Sequence, residues 1–144
     1  MSTPIHLSLI QHSYKSSTEK TVQAVETHIR AAASGGAQVI CLQELFNTKY
    51  FCSSVKQENF KLAESIPGPT TDRLGSLASE LSVVLVIPIF EKEAPGLYFN
   101  SAAVIDADGS LLGKYRKMHI PEDPGFHEKY YFTPGDLGYK VFDT

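Results

Sequence analysis

The fold of this chain is decided by one stretch, Val39-Ile40-Cys41-Leu42-Gln43-Glu44-Leu45-Phe46. It begins as a continuous apolar run, which is typical of a strand buried on both faces of a sheet. Glu44 follows at the carboxyl end of this predicted strand, where α/β sheets tend to bind ligands. Burying a carboxylate is costly unless it is paired or neutral. Glu44 is therefore a candidate catalytic base or acid, and the alternative is a carboxylate that caps a helix or faces a loop.

Predicted strands and helices alternate on both sides of this stretch. Residues 5–10 alternate apolar and polar side chains, which predicts a strand, and apolar residues at helical spacing follow from Val22 to Ala33. The sequence Ser16-Ser17-Thr18-Glu19 is typical of a capping box at the start of that helix, and Gly35-Gly36 ends it. A strand, a helix and a buried strand in this order predict a βαβ unit with parallel strands.

The second half of the chain predicts a change to antiparallel pairing. Residues 56–64 predict a short helix, and apolar residues between 74 and 81 predict a second amphipathic helix. Val83–Ile87 is predicted to be another buried strand, and Pro88 is expected to end its pairing or to place a bulge there. Strands are also predicted at 98–105 and 111–115, with a hairpin turn between them. The chain is therefore predicted to be a single α/β domain that begins as βαβαβ.

Composition excludes several classes of partner. The chain has 144 residues, 42% hydrophobic and 20% charged, as in ordinary globular domains. Its formal net charge is −3 and it has no basic stripe, so we expect no nucleic-acid and no membrane partner. No apolar run approaches the roughly 20 residues of a membrane span, and the N-terminus lacks a signal pattern. We therefore expect a cytoplasmic location.

Neither cysteine has a spacing that predicts a disulfide framework or a metal site. Cys41 lies inside the apolar run and is expected to behave as a small buried hydrophobe, whereas Cys52 lies in a predicted loop where it can be exposed. A nucleophilic thiol needs a nearby base and an electropositive setting. Cys41 and Glu44 are three positions apart, so on a strand they point to opposite faces.

Residues 116–138 predict an irregular segment that mixes charged and aromatic side chains. Lys117 and His119 share one face if the segment is extended. A lysine beside a buried glutamate can stabilise an oxyanion or exchange a proton, and Glu128 can supply a second carboxylate. The alternative is a solvated loop whose charges pair weakly at the surface.

Three stretches in order resemble the carbon–nitrogen hydrolase (nitrilase) superfamily: residues 43–46, Gly113-Lys114-Tyr115-Arg116-Lys117-Met118-His119-Ile120-Pro121, and 128–136. The resemblance covers nearly the whole chain and is greatest toward the branch that hydrolyses N-carbamoylputrescine. It implies α/β architecture as part of an α-β-β-α sandwich of the nitrilase type, a mixed sheet with flanking helices. It also implies a Glu-Lys-Cys catalytic set that hydrolyses a small-molecule amide or ureido bond with no metal and no other cofactor.

The resemblance assigns roles to residues of this chain. Glu44 matches the general base, Lys117 matches the lysine that stabilises the transition state, and Glu128 matches a further glutamate that orders the site. Three residues are expected to line or support the substrate pocket: Tyr50, Asn100 and His119. Two more carboxylates are weaker candidates for contacting a distal ammonium of the substrate: Glu122 and Asp123.

The nucleophile is where the chain departs from the family pattern. In this family the strand expected at Tyr139–Asp143 precedes the strand that delivers the cysteine, and neither Cys41 nor Cys52 occupies that motif. We therefore expect residues 1–144 to be the N-terminal portion of one carbon–nitrogen hydrolase domain, truncated before the nucleophile. The complete protein is expected to be a homo-oligomer. The alternatives are another aliphatic amidase, another N-carbamoyl amine hydrolase, or a non-catalytic assembly module with the same fold.

Overall fold

A five-stranded sheet organises the computed structural model, which describes residues 4–144. The strands are β1 (Leu7–Ile10), β2 (Val39–Leu42), β3 (Val84–Ala94), β4 (Leu97–Ile105) and β5 (Leu111–Arg116). The α-helices are α1 (Thr18–Ser34), α2 (Pro69–Leu81) and α3 (Glu128–Tyr131), and a 3-10 helix spans Gln57–Leu62. Within residues 4–144, no helix has the length and apolar character needed to cross a membrane.

The sheet is mixed, and its strands lie side by side in sequence order. β1, β2 and the start of β3 run parallel, with Leu9 opposite Cys41 and Cys41 opposite Val86. β3, β4 and β5 run antiparallel. The predicted βαβαβ start, the antiparallel continuation and the mixed sheet with flanking helices are therefore confirmed.

Both long helices cover the same face of the sheet. Ile29 of α1 and Leu74 of α2 are completely buried against Ile40 of β2 and Leu85 of β3. The next residue along each strand points to the other face, because successive side chains of a strand alternate. We call the covered side the helix face and the opposite side the open face.

The open face is covered at one end and exposed at the other. An apolar cluster packs beneath the loops at the covered end: Leu45, Phe51, Cys52, Phe90, Ile120, Tyr131 and Phe132. At the other end, Leu7 and Leu9 of β1 are 62% and 74% exposed. The prediction of burial on both faces, made for Val39–Leu42, holds only on the helix face within the described chain: Ile40 and Leu42 are buried, whereas Val39 and Cys41 are partly exposed.

Pro88 places no bulge in β3 and does not end the strand, but the pairing of β3 with β2 stops just before it. β3 continues through Pro88 to Ala94, with Pro88 opposite Ala102, and the irregularity in its pairing lies between Lys92 and Ala94. The parallel pairing with β2 has already ended at Val86, so that side of Pro88 lacks a strand to receive an N–H donor. A proline is tolerated in a strand where its missing donor has no partner.

Two local sequence predictions also need correction. Ser17, rather than Ser16, is the N-cap of α1, and its hydroxyl accepts a hydrogen bond from the Lys20 amide. Residues 139–143 form no strand; Tyr139 and Val141 are exposed, at 83% and 94%. The alternation of apolar and polar residues there lacks a paired neighbour strand in the described chain, and an isolated strand has nothing to satisfy its backbone groups.

Gly135 makes a close approach that no other residue can make. A Cβ atom placed on Gly135 would lie 2.1 Å from the carbonyl oxygen of Arg116. Because that contact is with backbone, we expect Gly135→Ala to lower the free energy of unfolding by about 1–3 kcal/mol, as other overpacked positions do. Thermal unfolding measures this loss. Gly35→Ala is the control, since its nearest contact is at 3.3 Å; equal losses in the two variants would contradict the prediction.

Candidate active site

Glu44 lies in the turn that follows β2, at the carboxyl end of the parallel strands. Leu45 takes a positive φ of 51°, and Leu45 and Phe46 then pack into the apolar clusters on opposite faces of the sheet. This turn leaves the Glu44 side chain at the rim with 54% exposure. The prediction that Glu44 is buried is therefore wrong for the described chain, while its predicted place at the strand end is confirmed.

Lys117 lies between two carboxylates. It directly follows β5, and its amide donates to the carbonyl oxygen of Asn100 at 2.8 Å. Its Nζ donates to Glu128 Oε2 at 2.8 Å and to Glu44 Oε1 at 3.2 Å. The structure thus brings together the three residues to which the resemblance assigned catalytic roles.

Glu128 is the buried member of this group. It is the first residue of α3 and its side chain is 5% exposed. A four-residue helix is too short to be stable alone. The phenol of Tyr131 attaches α3 to residues 54–56, in the loop between β2 and the 3-10 helix. The Tyr131 hydroxyl accepts from the Lys56 amide at 2.9 Å and donates to the Ser54 carbonyl at 2.6 Å. Glu128 is therefore fixed, and Lys117 provides the charge that its buried carboxylate needs.

Asn100 and Tyr50 contact the two carboxylates directly. Asn100 Nδ2 donates to Glu44 Oε1 at 2.7 Å, and the Tyr50 hydroxyl donates to Glu128 Oε1 at 3.3 Å. Burial and the neighbouring Glu128 raise the pKa of Tyr50 above its usual range, so the phenol stays neutral and remains a donor. The ring of Phe126 lies beside Tyr50, with centroids 6.0 Å apart. Sequence reasoning missed Phe126, because an apolar residue among charged ones in a loop carries no signal of its own.

His119 does not join this group. It lies in a bend after β5 with its side chain exposed, and within residues 4–144 its ring makes no hydrogen bond. Glu122 is already paired: it accepts from His127 Nδ1 at 2.8 Å and from the Lys129 amide at 3.2 Å. The hydrogen bond with His127 lowers the pKa of Glu122. Asp123 is exposed in the same loop.

The charge of Lys117 suits it to stabilise an anion. Burial alone would lower the pKa of Lys117, but its hydrogen bonds to Glu128 and Glu44 outweigh burial and raise the pKa above the ordinary lysine value. The ammonium therefore persists at neutral pH, and it borders an open cavity of about 200 Å³ lined also by Pro88 and Tyr115. A fixed cation at such a cavity can stabilise negative charge that develops on a carbonyl oxygen.

Neither cysteine of the chain is poised for attack. Cys41 donates a hydrogen bond to the Leu42 carbonyl at 3.5 Å, and burial raises the pKa of its thiol. Cys52 is completely buried, although its predicted loop position allowed it to be exposed. Burial, together with Glu128 and Glu44, raises the pKa of Cys52 to about 12. Both thiols are therefore protonated at neutral pH. Across residues 4–144, no three His, Cys, Asp or Glu side chains are grouped so that they could hold a metal ion.

Comparisons with known proteins show which family the chain resembles. A family profile described as carbon-nitrogen hydrolase matches residues 6–144. An N-carbamoylputrescine amidase of Solanum lycopersicum is 47% identical over 97% of this chain and 47% of its own length. A citrullinase of Francisella tularensis is 40% identical over 97% of this chain and 49% of its own length.

A solved structure shows the same fold. The carbon-nitrogen hydrolase from Helicobacter pylori G27 superposes with a TM-score of 0.91 at 43% identity, covering 96% of this chain and 47% of that protein. The chain thus spans about half the length of the relatives that it matches. Since the profile covers almost all of the residues, the chain belongs to the carbon-nitrogen hydrolase family.

Proposed function

We propose that the complete protein hydrolyses a linear amide or ureido C–N bond, with N-carbamoylputrescine as its preferred substrate. The observation that carries this proposal is the position of the Lys117 ammonium between Glu44 and Glu128. A lysine held by two carboxylates beside an open cavity provides a base and an electrophilic stabiliser within one site. The relatives named N-carbamoylputrescine amidase support the choice of substrate.

The nucleophile in this proposal is a cysteine outside these 144 residues. Cys41 and Cys52 are both protonated, and Cys52 is closed to any substrate by its burial. Glu44 removes the proton from the attacking thiol, and the sulfur bonds to the carbonyl carbon of the substrate. Lys117 Nζ stabilises the negative charge that develops on the carbonyl oxygen.

Collapse of this tetrahedral intermediate breaks the C–N bond. Glu44 returns its proton to the departing nitrogen, and ammonia leaves while a carbamoyl-thioester remains. Water then attacks the thioester as Glu44 again accepts a proton. The thiol is released, and the carbamate of putrescine decomposes to carbon dioxide and putrescine. In this scheme Glu128 holds Lys117 in place, while Tyr50 and Asn100 hold the two carboxylates.

A substrate panel tests this function on the complete protein. We expect kcat/KM for N-carbamoylputrescine to exceed that for butylurea, citrulline and an aliphatic ω-amide by about tenfold or more, which corresponds to about 1.4 kcal/mol of transition-state binding. Butylurea is the matched control, because it keeps the ureido group and the four-carbon chain but lacks the distal ammonium. Release of ammonia is the measurement.

Two results would contradict different parts of the proposal. Faster turnover of the ω-amide or of citrulline would reject N-carbamoylputrescine and favour another aliphatic amidase or N-carbamoyl amine hydrolase. Absence of turnover on the whole panel would reject the catalytic proposal and favour the assembly module. On the resemblance alone, we further propose that the complete protein forms homo-oligomers in the cytoplasm.

A further inference from the structure

A buried charge cluster lies on the helix face, beside the catalytic group but on the other side of the sheet. Glu91 of β3 is completely buried and accepts hydrogen bonds from Arg116, Lys114 and Ser101. Burial alone would raise the pKa of Glu91, but these donors outweigh it and hold the pKa at about 2. The carboxylate is thus ionised throughout the physiological range, and Arg116 is its main partner.

Arg116 is fixed at every part of its guanidinium. Its Nε and Nη2 donate to the two oxygens of Glu91 at 2.9 and 2.6 Å, in the planar two-point geometry that only arginine provides. Nη1 donates to Asp136 Oδ1 at 2.9 Å, and the guanidinium carbon lies 3.7 Å from the centre of the Phe99 ring. The side chain is 4% exposed. Such a site leaves Arg116 a single orientation.

Arg116 is also the last residue of β5, and Lys117 is the next residue along the chain. The two side chains point to opposite faces of the sheet, because successive residues of an extended strand alternate. Beyond Arg116 the backbone of Lys117 is held by one hydrogen bond to the Asn100 carbonyl and one from the Gly135 amide. Lys117 thus leaves the sheet directly after the residue that Glu91 and Asp136 anchor.

We propose that Arg116 is a positioning residue for Lys117. Its two-point contact with Glu91 on the helix face fixes the end of β5, so that Lys117 Nζ reaches Glu44 and Glu128 on the open face. Arg116 itself contacts neither Glu44 nor Glu128. The inference rests on the proposed function, because that function requires Lys117 to lie beside Glu44 and Glu128. The position of Lys117 can nevertheless be measured without any substrate.

The test uses Arg116→Met and Arg116→Lys in the complete protein. We expect Arg116→Met to lower kcat by about 100-fold with KM within about threefold, because a displacement of about 1 Å in a catalytic group has that effect. Arg116→Lys keeps the charge opposite Glu91 but loses the two-point contact, and we expect about a tenfold loss. A substrate-binding residue would raise KM instead.

The titration of Lys117 is a second readout, followed by NMR of ¹³Cε-labelled lysine and assigned with Lys117→Arg. The carboxylates raise the pKa of Lys117 in the wild-type protein. When Arg116→Met lets the ammonium move away from Glu44 and Glu128, that pKa should fall. An arginine that contributes only to folding would leave this pKa unchanged.

Arg73→Met is the matched control. Arg73 also pairs with two carboxylates, Glu19 and Glu26, but it joins α1 to α2 on the helix face and pairs with neither Glu44 nor Glu128. We expect its loss to change neither kcat nor the titration of Lys117.

The proposal would be overturned by a folded Arg116→Met or Arg116→Lys protein whose kcat stays within about threefold of wild type. An unchanged pKa of Lys117, or an equal loss of kcat in Arg73→Met, would overturn it too. If Arg116→Met does not fold, Arg116→Lys decides. A wild-type protein that hydrolyses nothing on the panel rejects the proposed function separately, and the titration of Lys117 still decides whether Arg116 positions it.

Discussion

Replacing Glu44 by glutamine is expected to lower kcat of the complete protein by about 10²- to 10⁴-fold, with little change in stability. The loss corresponds to the contribution of a well-placed general base. The fold should survive, because the side chain is 54% exposed and glutamine keeps an oxygen that can accept from Asn100 and Lys117. Steady-state release of ammonia measures kcat, and thermal unfolding measures stability.

Glu80→Gln is the control for this experiment. Glu80 is 56% exposed and pairs with Arg30, so it matches Glu44 in exposure and in having a basic partner. We expect Glu80→Gln to leave kcat within about twofold of wild type, as surface substitutions usually do. Near-normal turnover by Glu44→Gln would show that another group is the base.

The second large effect is expected for residues 1–144 on their own, which should release no measurable ammonia from N-carbamoylputrescine. A base and a lysine without a thiolate can at best direct water at a ureido carbon. Removal of the nucleophile from a catalytic set that works as a unit costs on the order of 10⁶-fold in a well-studied protease. The measurement is ammonia release by this chain beside the complete protein at equal concentration.

Cys41→Ala and Cys52→Ala in the 144-residue chain test whether either of these thiols is the nucleophile. Robust turnover by the chain that either substitution abolishes would assign the nucleophile to that thiol. It would also contradict the conclusion drawn from burial and from the raised pKa values of both groups. We expect the complete protein to release ammonia from N-carbamoylputrescine and the 144-residue chain to release none.

The arrangement of the strands was readable from local pattern. Burial of one or two faces of an element imposes a pattern of apolar residues on the sequence. The apolar run Val39–Leu42 and the helical spacing between Val22 and Ala33 are two such patterns. The position of Glu44 at a strand end followed from the same pattern. The proximity of Glu44 to Lys117 and Glu128 was expected from the resemblance alone, because no periodicity relates residues so far apart in the sequence.

The buried charge cluster could not be predicted in this way. The sequence Phe90-Glu91-Lys92-Glu93 has the appearance of a strand that leaves the core for solvent, yet Glu91 is completely buried. Its burial depends on Arg116, 25 positions later, and the orientation of Arg116 depends in turn on Asp136. Ionic partners of this kind are chosen by tertiary structure, and pairing preferences between single residues carry too little information to find them. The burial of Cys52 also depends on tertiary structure, because residues distant in sequence, such as Tyr131 and Phe132, pack in the same apolar cluster.

The Lys117–Glu44 contact also sets the earliest time at which a growing chain can bring its proposed base and its lysine together. Lys117 lies 73 residues after Glu44. At translation rates of about 5–20 residues per second, the ribosome needs roughly 4–15 s to add the lysine after the glutamate. During that interval β1 and β2 are already made, and β3, β4 and β5 are added one after another. The nascent chain therefore holds apolar strands with unpaired edges for several seconds, and this is the period in which it depends most on protection from aggregation.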